Sequence, residues 1–150
     1  MQKQTINYKQ AEKVYVLAQN VSGATISANA AVYYDSTSAV ADEIGVSGAT
    51  TGKAHLFAGR NDASLADDAK GLVQVFGPGD IYMVLADSTV SAVPGAQLVS
   101  VTSQTYLVDF SATSLVTGAV ENYVTLLETY ASVAGGQSAP LAKAAFIRAM

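Results

Sequence analysis

The chain has 150 residues, a formal net charge of −4 and 50% hydrophobic content, with 13% charged residues, no cysteine or tryptophan, and a single histidine, His55. A domain of this length buries roughly 68–70% of the surface its unfolded chain exposes, so one core is attainable without a membrane. The absence of cysteine excludes disulfide staples and thiolate metal sites.

Much of the apolar content is alanine, which contributes little buried area at ~25 cal/mol per Å². A core so poor in large side chains favours self-association or docking on a larger body. No run approaches the ~20 consecutive apolar residues of a membrane-spanning helix. Met1-Gln2-Lys3-Gln4-Thr5 lacks the apolar core of a secretory signal, which points to cytoplasmic synthesis without export. Residues 1–13 carry Lys3, Lys9, Lys13 and Glu12, a net +2, which leaves −6 on the rest of the chain. An acidic body argues against nucleic-acid binding, which needs clustered Lys and Arg. Residues 1–13 therefore read as a polar, basic, flexible arm, with an ordinary frayed terminus as the alternative. Residues 14–150 read as one β-rich domain.

In chain order, Val14-Tyr15-Val16-Leu17-Ala18 is a short apolar strand, followed by turn chemistry at Asn20-Val21-Ser22-Gly23. A second strand covers Ala30-Ala31-Val32-Tyr33-Tyr34, so that two strands join through a Ser-Gly turn. Asn20-Val21-Ser22 also matches the N-glycosylation pattern, a coincidence in a chain without an export signal. Residues 36–53 are small and polar and read as an exposed excursion. Within it, Val46-Ser47-Gly48-Ala49-Thr50 repeats Val21-Ser22-Gly23-Ala24-Thr25; the match stops there, so it reads as reuse of a turn and not as a duplicated domain.

Ala54-His55-Leu56-Phe57-Ala58 is another strand, and residues 62–70 suit one or two helical turns with Asn61 or Asp62 as N-cap. Leu72-Val73-Gln74-Val75-Phe76 is a strand, Gly77-Pro78-Gly79-Asp80 a turn, and Ile81 to Ala86 the returning strand. A Pro-Gly turn at Pro94-Gly95 precedes strands at Leu98-Val99-Ser100-Val101 and Tyr106-Leu107-Val108-Asp109-Phe110. Residues 113–132 fit either a helix or a strand, and the β surroundings tip the reading towards strand. Ala145-Phe146-Ile147-Arg148 closes the chain. The fold class is mainly β, a single-domain sandwich or barrel with a short helix or two.

Little of this material carries chemistry. No G-x-S-x-G elbow accompanies His55, and no second histidine is present for a metal. Asp42-Glu43 and Asp67-Asp68 are adjacent pairs in polar stretches and read as solvated loop charges, without the alternating spacing of a calcium loop. Gly77-Pro78-Gly79 is no phosphate cradle, because Pro78 lacks an amide donor. Most of the eight tyrosines lie in apolar strands and suit packing; Tyr8, Tyr33 and Tyr34 are the aromatic candidates for an interface. No catalytic residue, cofactor site or metal site is expected.

The order of elements resembles the capsid decoration (cement) proteins of tailed bacteriophages. The likeness rests on Val14–Ala18 followed by Asn20-Val21-Ser22-Gly23-Ala24-Thr25-Ile26 and Ala31-Val32-Tyr33-Tyr34-Asp35. It continues in Gly71-Leu72-Val73-Gln74-Val75, Pro94-Gly95-Ala96-Gln97-Leu98, Leu126-Leu127-Glu128-Thr129 and Ala145-Phe146-Ile147-Arg148. The long insert at 36–70 departs from the pattern, as would a helix at 111–135. The resemblance implies a non-enzymatic virion protein on the outer capsid surface. Its partner would be the major capsid protein, with self-assembly into trimers or, less favoured, dimers. Lys3, Lys9 and Lys13 would then form a capsid-binding arm. Two other classes fit the composition: a carbohydrate- or surface-binding β module, or a phage tail or head–tail component. A small carboxylate hydrolase is the remaining enzyme reading.

Overall fold

The computed structural model describes residues 12–35, 44–48, 54–85, 90–101, 103–110, 120–132 and 139–149. These residues are mainly β, and a closed five-stranded barrel with extra strands organises them. Among the described residues nine strands run in chain order: β1 (Val14–Asn20), β2 (Ala31–Tyr34), β3 (Ile44–Ser47), β4 (Phe57–Asn61) and β5 (Lys70–Val84), then β6 (Gln97–Ser100), β7 (Leu107–Asp109), β8 (Val120–Leu126) and β9 (Leu141–Arg148).

Pairing closes on itself twice. β1–β3–β2–β4–β5 returns to β1, and β5–β7–β6–β8–β9 returns to β5. The 15-residue β5 belongs to both rings: its first half lies between β1 and β4, its second between β9 and β7. Closure of both rings gives each of these strands two neighbours, which shortens the open edges that otherwise invite aggregation.

The first barrel encloses small residues, among them Ala18, Ala30, Val32, Val46, Ala58, Val73 and Val75. The second barrel holds larger ones, including Ile81, Met83, Leu98, Leu107, Leu126 and Ile147. Ala31, Tyr33 and Phe57 point out of the first barrel and belong to the second cluster, with the Tyr33 and Phe57 rings edge-on at 6.2 Å. β2 and β4 are thus buried on both faces, which fuses the barrels into one body.

The two rings repeat one wiring diagram. The first and third strands pair in parallel in each (β1–β3, β5–β7), and all other pairings are antiparallel. Each second strand pairs the fourth with an irregularity at its midpoint, between Val32 and Tyr33 and between Leu98 and Val99. Isolated bridges recur at Ile26–Leu65 and Ala92–Tyr130. Backbone hydrogen bonds match as well. Asn29 N to Asn61 O and Asn61 N to Ala30 O correspond to Gly95 N to Leu126 O and Leu126 N to Ala96 O. The chain is a tandem pair of one five-stranded unit.

Several expectations need correction. Gly77-Pro78-Gly79-Asp80 is no turn: β5 runs through it, with Gly77 opposite Ile147 and Pro78 opposite Phe146. Pro78 falls between the parts of β5 covered by β4 and β7, so its missing N–H removes no ladder bond there. The Gln74 side chain donates instead to the carbonyls of Phe76 (3.1 Å) and Pro78 (3.0 Å).

The helix expected at 62–70 is absent; Leu65 makes a bridge and Asp68 turns the chain with φ 58°. The only helical element among the described residues is a 3-10 turn at Ala54–Leu56, where a strand start was expected. β1 and β2 are not a hairpin, because each pairs with β3 instead. β3 lies inside the stretch read as an excursion, and β8 resolves the ambiguous segment as strand. Residues 1–11 lie outside the described residues, and the expected flexible arm with them.

Two glycines separate conformational from steric need. Gly59 has φ 138°, and a Cβ there would sit 2.2 Å from the Gln74 carbonyl oxygen. Gly23 has φ 77°, but open space around it. Gly59→Ala is expected to cost about 3 kcal/mol or more and Gly23→Ala about 1 kcal/mol, read as a shift in urea midpoint at unchanged slope.

Candidate functional site

The most heavily built polar feature lies between the barrels. Arg60 leaves β4 on the outer side of the first barrel, opposite Gln74 of β5, and is only 6% exposed. Its Nε donates to Gln74 Oε1 (2.8 Å), Nη1 to Asn29 Oδ1 (2.7 Å) and Nη2 to Asp62 Oδ1 (2.7 Å). A buried guanidinium needs such partners, one here for each of its three nitrogens, because leaving it unpaired is strongly unfavourable. A Cβ at Gly79 would meet Arg60 Nε and Gln74 Oε1, so glycine is what admits the network at the crossover. Asn20 and Asn61 serve the barrel end. The Asn20 amide donates to the carbonyls of Ala24, Leu65 and Ala66, and the Asn61 amide to those of Ile26, Ser27 and Ala63.

Two depressions flank this junction. The larger, about 470 Å³, is lined by Ser22, Thr25 and Ser27 from the β1–β2 loop, with Tyr82, Thr105 and Pro140 from the second unit. Among the described residues its walls are mostly small side chains and hydroxyls, with Ile26, one aromatic ring and no charge. The smaller, about 270 Å³, has Lys13, Arg60, Asp80, Leu127 and Ala144 around Pro78 and Gly79.

The residues singled out by sequence do not converge. His55 is exposed on the 3-10 turn. Asp67 and Asp68 are exposed in a turn, where Asp67 Oδ1 accepts from the Gly23 N–H (2.8 Å), a structural role. No cluster of three or more His, Asp or Glu suited to a metal occurs among the described residues. No helix among them is long and apolar enough to cross a membrane.

Of the interface candidates, Tyr33 is buried, with its hydroxyl donating to Gln104 O (3.2 Å), so it joins the barrels and is closed to a partner. Tyr34 is half-buried against the first core. Tyr8, Lys3, Lys9, Asp42 and Glu43 lie outside the described residues. Lys13 is exposed on the wall of the smaller depression, and Arg148 is exposed at the end of β9.

Sequence reasoning missed Arg60, Gln74 and Asn29, because a polar residue on a strand signals nothing until its surroundings are known. It also missed the exposed pair Leu17 and Leu72 (57% and 50% exposed), which face each other across β1 and β5 on the outer side of the first barrel. The alternation of β5, with Leu72 between Gly71 and Val73, was the available signal. No protein-family model and no curated protein sequence matches this chain.

Arg60→Ala should cost about 3–5 kcal/mol, since it strands Gln74 and Asp62, whereas Lys13→Ala should stay within about 0.5 kcal/mol; urea unfolding measures both. Burial pushes the Tyr33 hydroxyl pKa well up, with a bond to Ser100 opposing it, and burial pushes Tyr130 up as well. The unfolded chain then ionises first, so stability present below the ordinary tyrosine pKa of 10.0 is lost as pH rises above it. Tyr33→Phe should remove part of that alkaline loss, at a neutral-pH cost of about 1 kcal/mol for the hydrogen bond; unfolding titrations from neutral to strongly alkaline pH read both effects.

Proposed function

We propose that this protein is a virion structural protein, a capsid decoration protein that binds the outer face of a phage head and stabilises the shell. Its partner in this reading is the major capsid protein, and its location the capsid surface after synthesis in the host cytoplasm. The strand order that resembles cement proteins motivates the reading. The observation that carries it is the outward-facing Leu17–Leu72 pair on a closed barrel. Two large apolar side chains held side by side on paired strands of a closed barrel suit docking against another protein. Lys13 is exposed, immediately precedes the strand that carries Leu17, and forms no ion pair among the described residues. With Lys3 and Lys9 it would add salt-sensitive attraction to an acidic shell. Repeated copies across the lattice would convert modest contacts into durable attachment, as a homo-oligomer or as separate chains.

A carbohydrate-binding module is the second reading, favoured by Tyr82 and the hydroxyls of the larger depression. Among the described residues its lining has a single aromatic ring and no carboxylate or carboxamide, which leaves sugar hydroxyls short of bidentate partners there.

The test is addition of purified protein to undecorated heads of the phage that encodes it, followed by imaging. Regular added density is expected, with binding weakened at least about tenfold by Leu17→Asp with Leu72→Asp, which removes roughly 1.4 kcal/mol or more. Absence of added density at saturating protein would overturn the reading. Unchanged binding after deletion of residues 1–12 would remove the arm from it.

A further inference from the structure

The two units are related in a specific way. β1 and β9 both run antiparallel to β5 along one edge: β1 covers Lys70 to Phe76, and β9 covers Phe76 to Met83. Ala149, just past β9, donates its N–H to Val75 O (2.9 Å), reaching the stretch that β1 occupies. β9 therefore ends where β1 begins, and the two form one interrupted strand beside the continuous β5.

Matching the units strand by strand makes β5 the equivalent of this interrupted strand. The first half of β5 corresponds to β9 and the second half to β1. The match survives at the centre. Phe76 corresponds to Arg148, and the two are register partners, so their pair maps onto itself with members exchanged. The Ala149–Val75 contact maps onto the register pair Gly77–Ile147. A pairing that maps onto itself on exchange of halves is the signature of a two-fold contact.

We infer that the face between the barrels is a self-recognition surface, and that the partner it fits is a second copy of the same five-stranded unit. In this chain the two copies are joined covalently once, at Gly77-Pro78. At the β9–β1 seam the same contact is made without a bond. The covalent crossover is therefore dispensable to the contact, because the seam already holds without one. Divided at Gly77-Pro78, β5 leaves each unit four whole strands and its own half of β5 with which to close its ring. This inference stands apart from the capsid reading and is tested without a virus.

The experiment uses two full-length circular permutants, each with Met150 joined to Met1 through a protease site. One is opened at the crossover, between Gly77 and Pro78. The other is opened between the exposed Ala24 and Thr25 and reports whether the ends can be joined at all. Both are expected to be folded, with melting temperatures within about 5 °C of each other. After protease cleavage the crossover permutant falls into two unlinked halves. These are expected to co-elute as a one-to-one pair at concentrations on the order of 1 μM. Folding of the loop-opened permutant alone would overturn the inference, as would separation of the cleaved halves. Failure of both permutants would overturn the seam itself.

Discussion

The strand β5 is the constraint on which the rest depends. Fifteen residues run without a break from one barrel into the next, and four other strands take their register from it. A strand shared by two closed rings must bend and twist sharply where it passes between them. Gly77 and Gly79 provide the close approach, and Pro78 stands where no ladder bond is called for on one side. Arg60, Gln74 and Asn29 then fill the space between the rings with a hydrogen-bonded polar network. A local requirement of one strand thus explains the glycines, the proline and the buried cation together.

The two units share wiring and diverge in chemistry. The barrel-facing Asn20 and Asn61 of the first unit correspond to Met83 and Leu126 of the second, and Arg60 and Gln74 correspond to Thr125 and Phe146. Asp62, which neutralises Arg60, corresponds to Leu127, which is 48% exposed. Burial of polar groups in the first unit demands complete hydrogen bonding, which the asparagine amides and the guanidinium supply. The second unit reaches the same topology with larger aliphatic side chains, so topology does not require the polar network. What the network adds is directionality in the contact between units.

In the proposed decoration role, recognition would fall to side chains held on paired strands, such as Leu17 and Leu72, with Lys13 just before β1. Ring closure leaves few open strand edges to compete with them. The small, hydroxyl-rich walls between the units follow from the packing of two barrels.

Much of the β character was legible in the sequence. Val14 to Ala18, Leu98 to Val101 and Tyr106 to Phe110 are short β-branched and aromatic runs bounded by turn residues, and each lies on or overlaps a strand. Local composition governs such runs because their β-branched and aromatic side chains favour extended backbone and end at turn residues. The misreadings share one cause. Gly-Pro-Gly signals a turn when only neighbours in sequence are considered, yet Phe146, Ile147 and Ala145 on β9 pair across it and hold it extended. The Asp-rich 62–70 stretch has capping residues for a helix, but the Leu65–Ile26 bridge takes its backbone instead.

By itself, then, the order of residues determined a β framework with scarce chemistry, because alternation and turn propensity act within a few residues. The tertiary structure alone decided the duplication, the shared strand and the placement of Arg60. Equivalent positions in the units carry different residues, and only hydrogen-bond register, a property of strands distant in sequence, makes them equivalent.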